Sequence, residues 1–177
     1  MYKLNPKMAS TQIGFTIVEL IVVITIIGIL AATVGPRYFN LRSESNEATL
    51  KAMGGAILSS VNLVYAKSAI LGLQSIAKTN IDLDGDGIND VEVAYGYPSG
   101  SRSNGISKIM GGDFAREWTW STSFGDTAFW LTTASLGGRS GQYINNTAVM
   151  ASACYLLYYP ATSPASRPRI SYVTTKC

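Results

Sequence analysis

The chain contains no histidine. This excludes imidazole as a general base, the Ser-His-Asp and Cys-His nucleophile systems, and every zinc or haem site built on imidazole. Two cysteines fall short of the four thiolates that an all-cysteine zinc site requires. Charged residues make up only 14% of the chain, against about 25% in typical soluble domains. With 47% apolar residues, this is no disordered polyelectrolyte. A net charge of +3 is too small to argue for nucleic-acid binding, and none is expected. An Asp or Tyr pair could in principle do acid–base work, but no constellation of residues points to one, so no enzyme is expected. The 177 residues suffice for one ordinary domain.

The apolar residues are concentrated near the start. Phe15 to Val34 reads FTIVELIVVITIIGILAATV and carries one charge, Glu19. At about 1.5 Å per residue it spans about 30 Å, one hydrocarbon core. It is apolar on every side, unlike an amphipathic surface helix, and the remaining chain is too short to enclose it as a core helix. It is also too long for an ordinary secretory signal, and no AxA-type site ends it. Residues 1–14 carry Lys3 and Lys7 without an acid. Basic residues follow the span as well, at Arg37, Arg42 and Lys51, so charge counting does not orient it.

Pro36 is expected to kink or locally melt the helix rather than end it. Beyond it, Leu50, Met53, Ile57, Val61, Val64, Ser68 and Leu71 fall on one helical stripe. Gly54-Gly55 is either a flexible joint or a close packing contact, and Gly72 is the expected stop. The helix is thus expected from Phe15 to Leu71, with a membrane half (15–34) and an amphipathic half (35–71). Residues 72–177 form the expected β-rich head. Val91, Val93, Tyr95 and Tyr97 alternate with smaller or polar residues, the pattern of a half-buried strand. Pro98 to Gly112 reads as a Ser/Gly-rich loop. Trp118, Trp120, Phe129 and Trp130 supply core surface. Cys154 to Tyr159 and Arg169 to Thr175 read as antiparallel strands around a proline-rich connection.

One cluster has ligand character. In DLDGDGINDVE, Asp82, Asp84, Asp86, Gly87 and Asp90 match positions 1, 3, 5, 6 and 9 of an EF-hand-type calcium loop, with the Ile88 carbonyl at position 7. Hard oxygens at that spacing wrap around a single cation. Position 12 departs from the pattern: it is Val93, and Glu92 stands one residue early. No pair of helices flanks the loop. The expectation is therefore a structural calcium site over residues 82–92 with extracellular-class affinity, ligated by Asp82, Asp84, Asp86, Ile88, Asp90 and Glu92 or water; a solvated Asp-Gly turn is the alternative.

The sequence GFTIVE sets a glycine before an aromatic residue and a glutamate at the fifth position counted from that aromatic. With the leader, the apolar run and the downstream proline in register, the chain resembles the type IV prepilin family. Residues 36–72 and the cysteine-bounded tail 154–177 further resemble pilins of the mannose-sensitive haemagglutinin pilus. The resemblance implies an α+β pilin fold, a leader (1–14) cut by a prepilin peptidase after Gly14, and N-methylation of Phe15. It implies an inner-membrane precursor that assembly machinery builds into an extracellular pilus, a helical homo-oligomer used for adhesion by a Gram-negative bacterium. A type II secretion pseudopilin shares the same N-terminal logic; a membrane-tethered ligand-binding domain that never polymerises is a further alternative, and one with no need of Glu19.

A carboxylate inside a bilayer costs about 2.5–3.5 kcal/mol, so Glu19 needs a partner. Cleavage after Gly14 makes an amine one helical turn upstream, able to neutralise Glu19 within its own chain or on a neighbour. The family implies the second arrangement, with Glu19 guiding assembly. An exported chain passes an oxidising compartment, where Cys154 and Cys177 are expected to form a disulfide.

Overall fold

The computed structural model describes residues 14–142 and 145–177. The rest of the expected leader, residues 1–13, lies outside the described residues. The chain divides into two units, one ending at Leu41 and the other comprising Arg42–Cys177. The first helix, α1, spans Ile17–Ile70 and contributes to both.

In the first unit every residue from Phe15 to Val34 is exposed, so the apolar surface runs all round the helix. The helix runs through Pro36 without ending.

In the second unit, Leu50, Ile57, Val61, Val64 and Ser68 are buried and Met53 is half-buried, which is the expected stripe. Leu71 does not belong to it: the helix stops at Ile70, and Leu71 is half exposed in the turn. The stop is built around Gly72. The Leu73 N–H donates to the Ser68 carbonyl (3.0 Å) and the Gly72 N–H to the Ala69 carbonyl (3.1 Å), with Gly72 at φ 71°. This left-handed cap satisfies carbonyls that the helix end would orphan.

Successive turns of α1 pack on two sheets. The smaller has the order β1 (Thr79–Ile81), β2 (Val91–Ala94), β3 (Tyr97–Pro98), all antiparallel. Here the expected single strand from Val91 to Tyr97 is corrected to a hairpin. Tyr95 (φ 53°) and Gly96 (φ 83°) both take the left-handed conformation of a two-residue turn and reverse the chain. Pro98, which has no N–H to donate, sits on the edge strand, where none is needed. Val64 packs with Ile81, Val91 and Val93 beneath this sheet.

The larger sheet joins β4 (Trp118–Thr122), β5 (Phe129–Thr133), β6 (Gly141–Gln142), β7 (Tyr155–Tyr159) and β8 (Arg169–Val173) in the order β6-β4-β5-β7-β8. All its pairs are antiparallel except β4 with β6. The expected pairing of the two C-terminal runs is present, Tyr155 opposite Val173 and Tyr159 opposite Arg169. Alternate residues Trp118, Trp120, Phe129, Leu131, Leu156 and Tyr158 meet Leu50, Ile57 and Val61 in the main core. Short helices α2 (Phe114–Glu117), α3 (Ala134–Gly137) and α4 (Thr147–Ala151) lie in the connections.

The Gly54-Gly55 pair has one member in a tight contact. Gly54 is buried beneath Tyr172 of β8, and a methyl group there would overlap the tyrosine hydroxyl; Gly55 has open space. Gly55→Ala is therefore expected to raise stability by up to about 1 kcal/mol through helix propensity, whereas Gly54→Ala lowers it by displacing Tyr172. Chemical denaturation of the two variants checks the opposite signs.

Tyr158 ties the sheets together. It is fully buried in β7, and its hydroxyl donates to the Pro98 carbonyl on β3 at 2.7 Å. Tyr158→Phe orphans that carbonyl and is expected to cost about 1–3 kcal/mol. Burial also raises the Tyr158 pKa above the ordinary phenol value. The unfolded chain loses this proton near pH 10 and the native chain does not, so stability falls as pH rises past about 10. The alkaline decline should be shallower in Tyr158→Phe, which equilibrium unfolding against pH will measure.

Candidate functional site

Two features with chemistry stand apart from the core: the start of α1 and the aspartate loop. At the helix start, the Thr16 N–H and hydroxyl both donate to Glu19 Oε2, at 2.9 and 2.8 Å. The Glu19 N–H donates back to Thr16 Oγ1 at 3.2 Å. This is a reciprocal capping box, in which two orphan donors of the helix end are satisfied by side chains. Glu19 is thus drawn toward the Gly14–Phe15 bond, within its own chain. The role of Thr16 was missed in the sequence, although Thr-x-x-Glu before an apolar run signals it.

Further along, the Thr25 hydroxyl donates to the Val22 carbonyl (2.8 Å) and the Thr33 hydroxyl to the Leu30 carbonyl (3.0 Å). Both polar groups are satisfied inside the helix, as an apolar environment demands. By length and composition α1 can cross a membrane.

The aspartate loop connects β1 to β2 and folds on its own carboxylates. Asp82 Oδ1 accepts from the Gly85 N–H (2.6 Å) and Oδ2 from the Gly87 N–H (2.8 Å). Asp84 accepts from the Asp86 N–H (3.1 Å), and Asp86 from the Ile88 N–H (2.8 Å). Gly85 and Gly87 supply positive φ, 92° and 88°, where a side chain would be strained. Oxygens of Asp82, Asp84 and Asp86 lie within 4.8 Å of one another. The Gly85 and Gly87 N–H groups hold the Asp82 carboxyl below its usual pKa, so it stays charged at neutral pH. Such a cluster of hard oxygens suits a cation.

The other expected ligands are placed differently. Ile88 shares the turn through its N–H. Asp90 closes the neck of the loop, accepting from the Leu83 N–H at 2.9 Å. Glu92 is turned away. Its Oε1 accepts from the Ser99 hydroxyl (2.6 Å) and meets Lys78 Nζ at 3.1 Å, while Asp126 meets the same ammonium at 3.2 Å. These contacts, that with Glu92 foremost, raise the Lys78 pKa. The register explains the divergence: Glu92 already lies in β2, opposite Asn80, so its direction follows the pleat rather than the loop.

Cys154 and Cys177 form a disulfide, with Cα atoms 4.7 Å apart. The chain end is also held by Asn46 of α1, whose Nδ2 donates to the Cys177 carbonyl at 2.7 Å.

Comparison with known proteins agrees with the start of α1. Residues 10–35 match the prokaryotic N-terminal methylation motif. The type IV major pilin protein PilE1 of Neisseria gonorrhoeae is 35% identical over 57% of this chain and 49% of its own length. The type IV narrow pilus major component PilA5 of Thermus thermophilus is 46% identical over 26% of this chain and 40% of its own. The chain therefore spans less than half the length of these two relatives. The type IV major fimbrial protein FimA of Dichelobacter nodosus is 31% identical over 59% of this chain and 79% of its own length. No solved structure matches the chain. With an N-terminal methylation motif, a long apolar helix and a relative matched over most of its length, the chain belongs to the type IV pilin family.

Proposed function

We propose that this chain is the structural subunit of a type IV pilus, not an enzyme. Its leader is removed after Gly14, Phe15 is N-methylated, and the apolar half of α1 holds the precursor in the inner membrane before packing into the fibre. The finer reading is an adhesive pilus of the mannose-sensitive haemagglutinin type on a Gram-negative surface, supported by the stretch over residues 36–72 and the cysteine-bounded tail. The observation that carries the proposal is the exposed, all-round apolar surface of Phe15–Val34 in the first unit. Intact mass of the main protein in purified surface fibres tests it. The expected mass is that of residues 15–177 plus one methyl group, with the 154–177 disulfide intact. A mass that includes residues 1–14 would overturn it.

The aspartate loop adds a structural calcium site to this proposal, centred on Asp82, Asp84 and Asp86, with the Ile88 carbonyl and Asp90 within the same loop. Glu92 takes no part, since its carboxylate is already engaged by Lys78 and Ser99. Binding to the native state alone stabilises by RT ln(1 + [L]/Kd), on the order of 0.5 kcal/mol when calcium is near Kd. Thermal melting of the detergent-solubilised full chain should show this gain with calcium, not with magnesium or chelator. It should vanish in Asp84→Ala plus Asp86→Ala and persist in Glu92→Gln. Identical melting in all three conditions leaves a solvated turn.

A further inference from the structure

We propose that the head binds a phosphate monoester in the cleft between the β4–β5 loop and the β7–β8 connection; this goes beyond the fibre role and does not depend on it. The cleft has a volume of about 330 Å³, at the small end of the range of ligand sites. Two arginines, Arg167 and Arg169, stand among its walls with the hydroxyl residues Thr127, Thr162 and Ser166, and among the described residues no carboxylate lines it. Both arginines are exposed, and among the described residues neither forms an ion pair. The acid beside Thr127 in the chain, Asp126, is already paired with Lys78 at 3.2 Å.

The walls are preformed. Arg169 opens β8 opposite Tyr159, and its Cζ lies 4.4 Å from the centre of that ring. The contact orients the guanidinium without neutralising it. Pro168 fixes the backbone between Arg169 and Arg167. Across the connection, Ser166 Oγ accepts from the N–H groups of Thr162 (2.8 Å) and Ser163 (2.9 Å), which closes the loop and leaves the Thr162 hydroxyl exposed beside the arginines. Like charges two residues apart repel, and a bound anion relieves this. A phosphate monoester meets the site in full. It carries about −1.5 to −2 at pH 7 against two guanidinium charges, and it offers three oxygens to their forked donors. A sulfate ester or a carboxylate brings a single charge. Tyr159 and Pro160 give the carbon part of the ester an apolar wall.

The test is isothermal titration calorimetry of the detergent-solubilised full-length chain at neutral pH. Glucose 6-phosphate, glucose 6-sulfate and glucuronate set three anions on one sugar frame. Glucose 6-phosphate should bind saturably, at least tenfold more tightly than the other two. Glycerol 3-phosphate, titrated in parallel, separates the carriers: tighter binding than glucose 6-phosphate assigns the site to a lipid headgroup, weaker binding to a sugar. Arg167→Gln and Arg169→Gln should each weaken binding at least tenfold, and Arg167→Lys, which keeps the charge but loses the fork, several-fold. Lys176→Gln removes a charge at the opposite end of the β7–β8 pair and should leave binding unchanged. Arg167 is exposed in a connection, so its variant remains decisive even if Arg169→Gln fails to fold. No saturable binding, equal affinity for the sulfate ester or glucuronate, an unaltered Arg167→Gln, or an equal loss in Lys176→Gln would each overturn the proposal.

Discussion

Glu19→Ala is expected to eliminate surface fibres while leaving the protein inserted in the membrane. Uncompensated, the carboxylate costs about 2.5–3.5 kcal/mol at membrane depth, so alanine makes insertion easier rather than harder. What alanine removes is the group that an incoming or neighbouring amine would pair with. The structure adds a second role that must be separated from the first, because Glu19 Oε2 also caps α1 through Thr16. Losing a cap costs about 0.5–2 kcal/mol of helix stability, which could by itself fray the first turn. Glu19→Gln distinguishes the two: its amide oxygen still accepts from Thr16 but carries no charge. Thr16→Val does the converse, keeping the charge and losing the hydroxyl. If charge pairing directs assembly, Glu19→Gln fails as Glu19→Ala does, and Thr16→Val still makes fibres. Normal fibre amounts in Glu19→Ala would end the assembly role, and a Thr16→Val defect equal to that of Glu19→Ala would reduce it to capping. Electron microscopy of sheared surface material, with membrane fractionation for the insertion step, gives both readouts.

Removing the Cys154–Cys177 bridge is expected to give the largest loss of stability in the head, about 3 kcal/mol by the chain-entropy estimate for a crosslink separated by 23 residues. The bridge does more than shorten the unfolded chain. Cys154 is fully buried, and its carbonyl accepts from the buried Thr132 hydroxyl at 2.6 Å, so this end is fixed in the β5–β7 pair. The other end is the terminal residue, retained by the Lys176 N–H on the Ala153 carbonyl (3.0 Å) and by Asn46 on the Cys177 carbonyl. Cys154→Ser plus Cys177→Ser should lower the denaturation midpoint and make it insensitive to reductant, whereas the parent chain falls to the same midpoint once reduced. Asn46→Ala should cost about 1 kcal/mol in the bridged chain and markedly less without the bridge, because the carbonyl it holds is then free to leave. Equal midpoints for bridged and reduced chains would show that the strand pair alone holds the tail.

The sequence by itself determined the features that depend on local pattern. Phe15–Val34 is apolar on every side, so only a membrane-crossing or fibre-core helix suits it. The stripe from Leu50 to Ser68 follows the helical period, and Gly72 ends the helix because it accepts the left-handed cap. The Asp-Gly spacing set the form of the loop, since the carboxylates of Asp82, Asp84 and Asp86 each accept from an N–H two to five residues ahead. Other features depended on what the chain meets at a distance. The run from Val91 to Tyr97 alternates like one strand but turns at Tyr95-Gly96, because the hairpin lets Tyr97 stack on Tyr65 at 4.3 Å. Glu92 sits within the loop motif yet serves Lys78, because strand pairing sets its direction. Gly54 and Gly55 are indistinguishable as letters; only the arrival of Tyr172 from β8 makes the first a contact and leaves the second open. Periodicity and turn chemistry act over a few residues and can be read along the chain; side-chain direction and partner choice are set by strand register and packing across it, which only the tertiary structure decided.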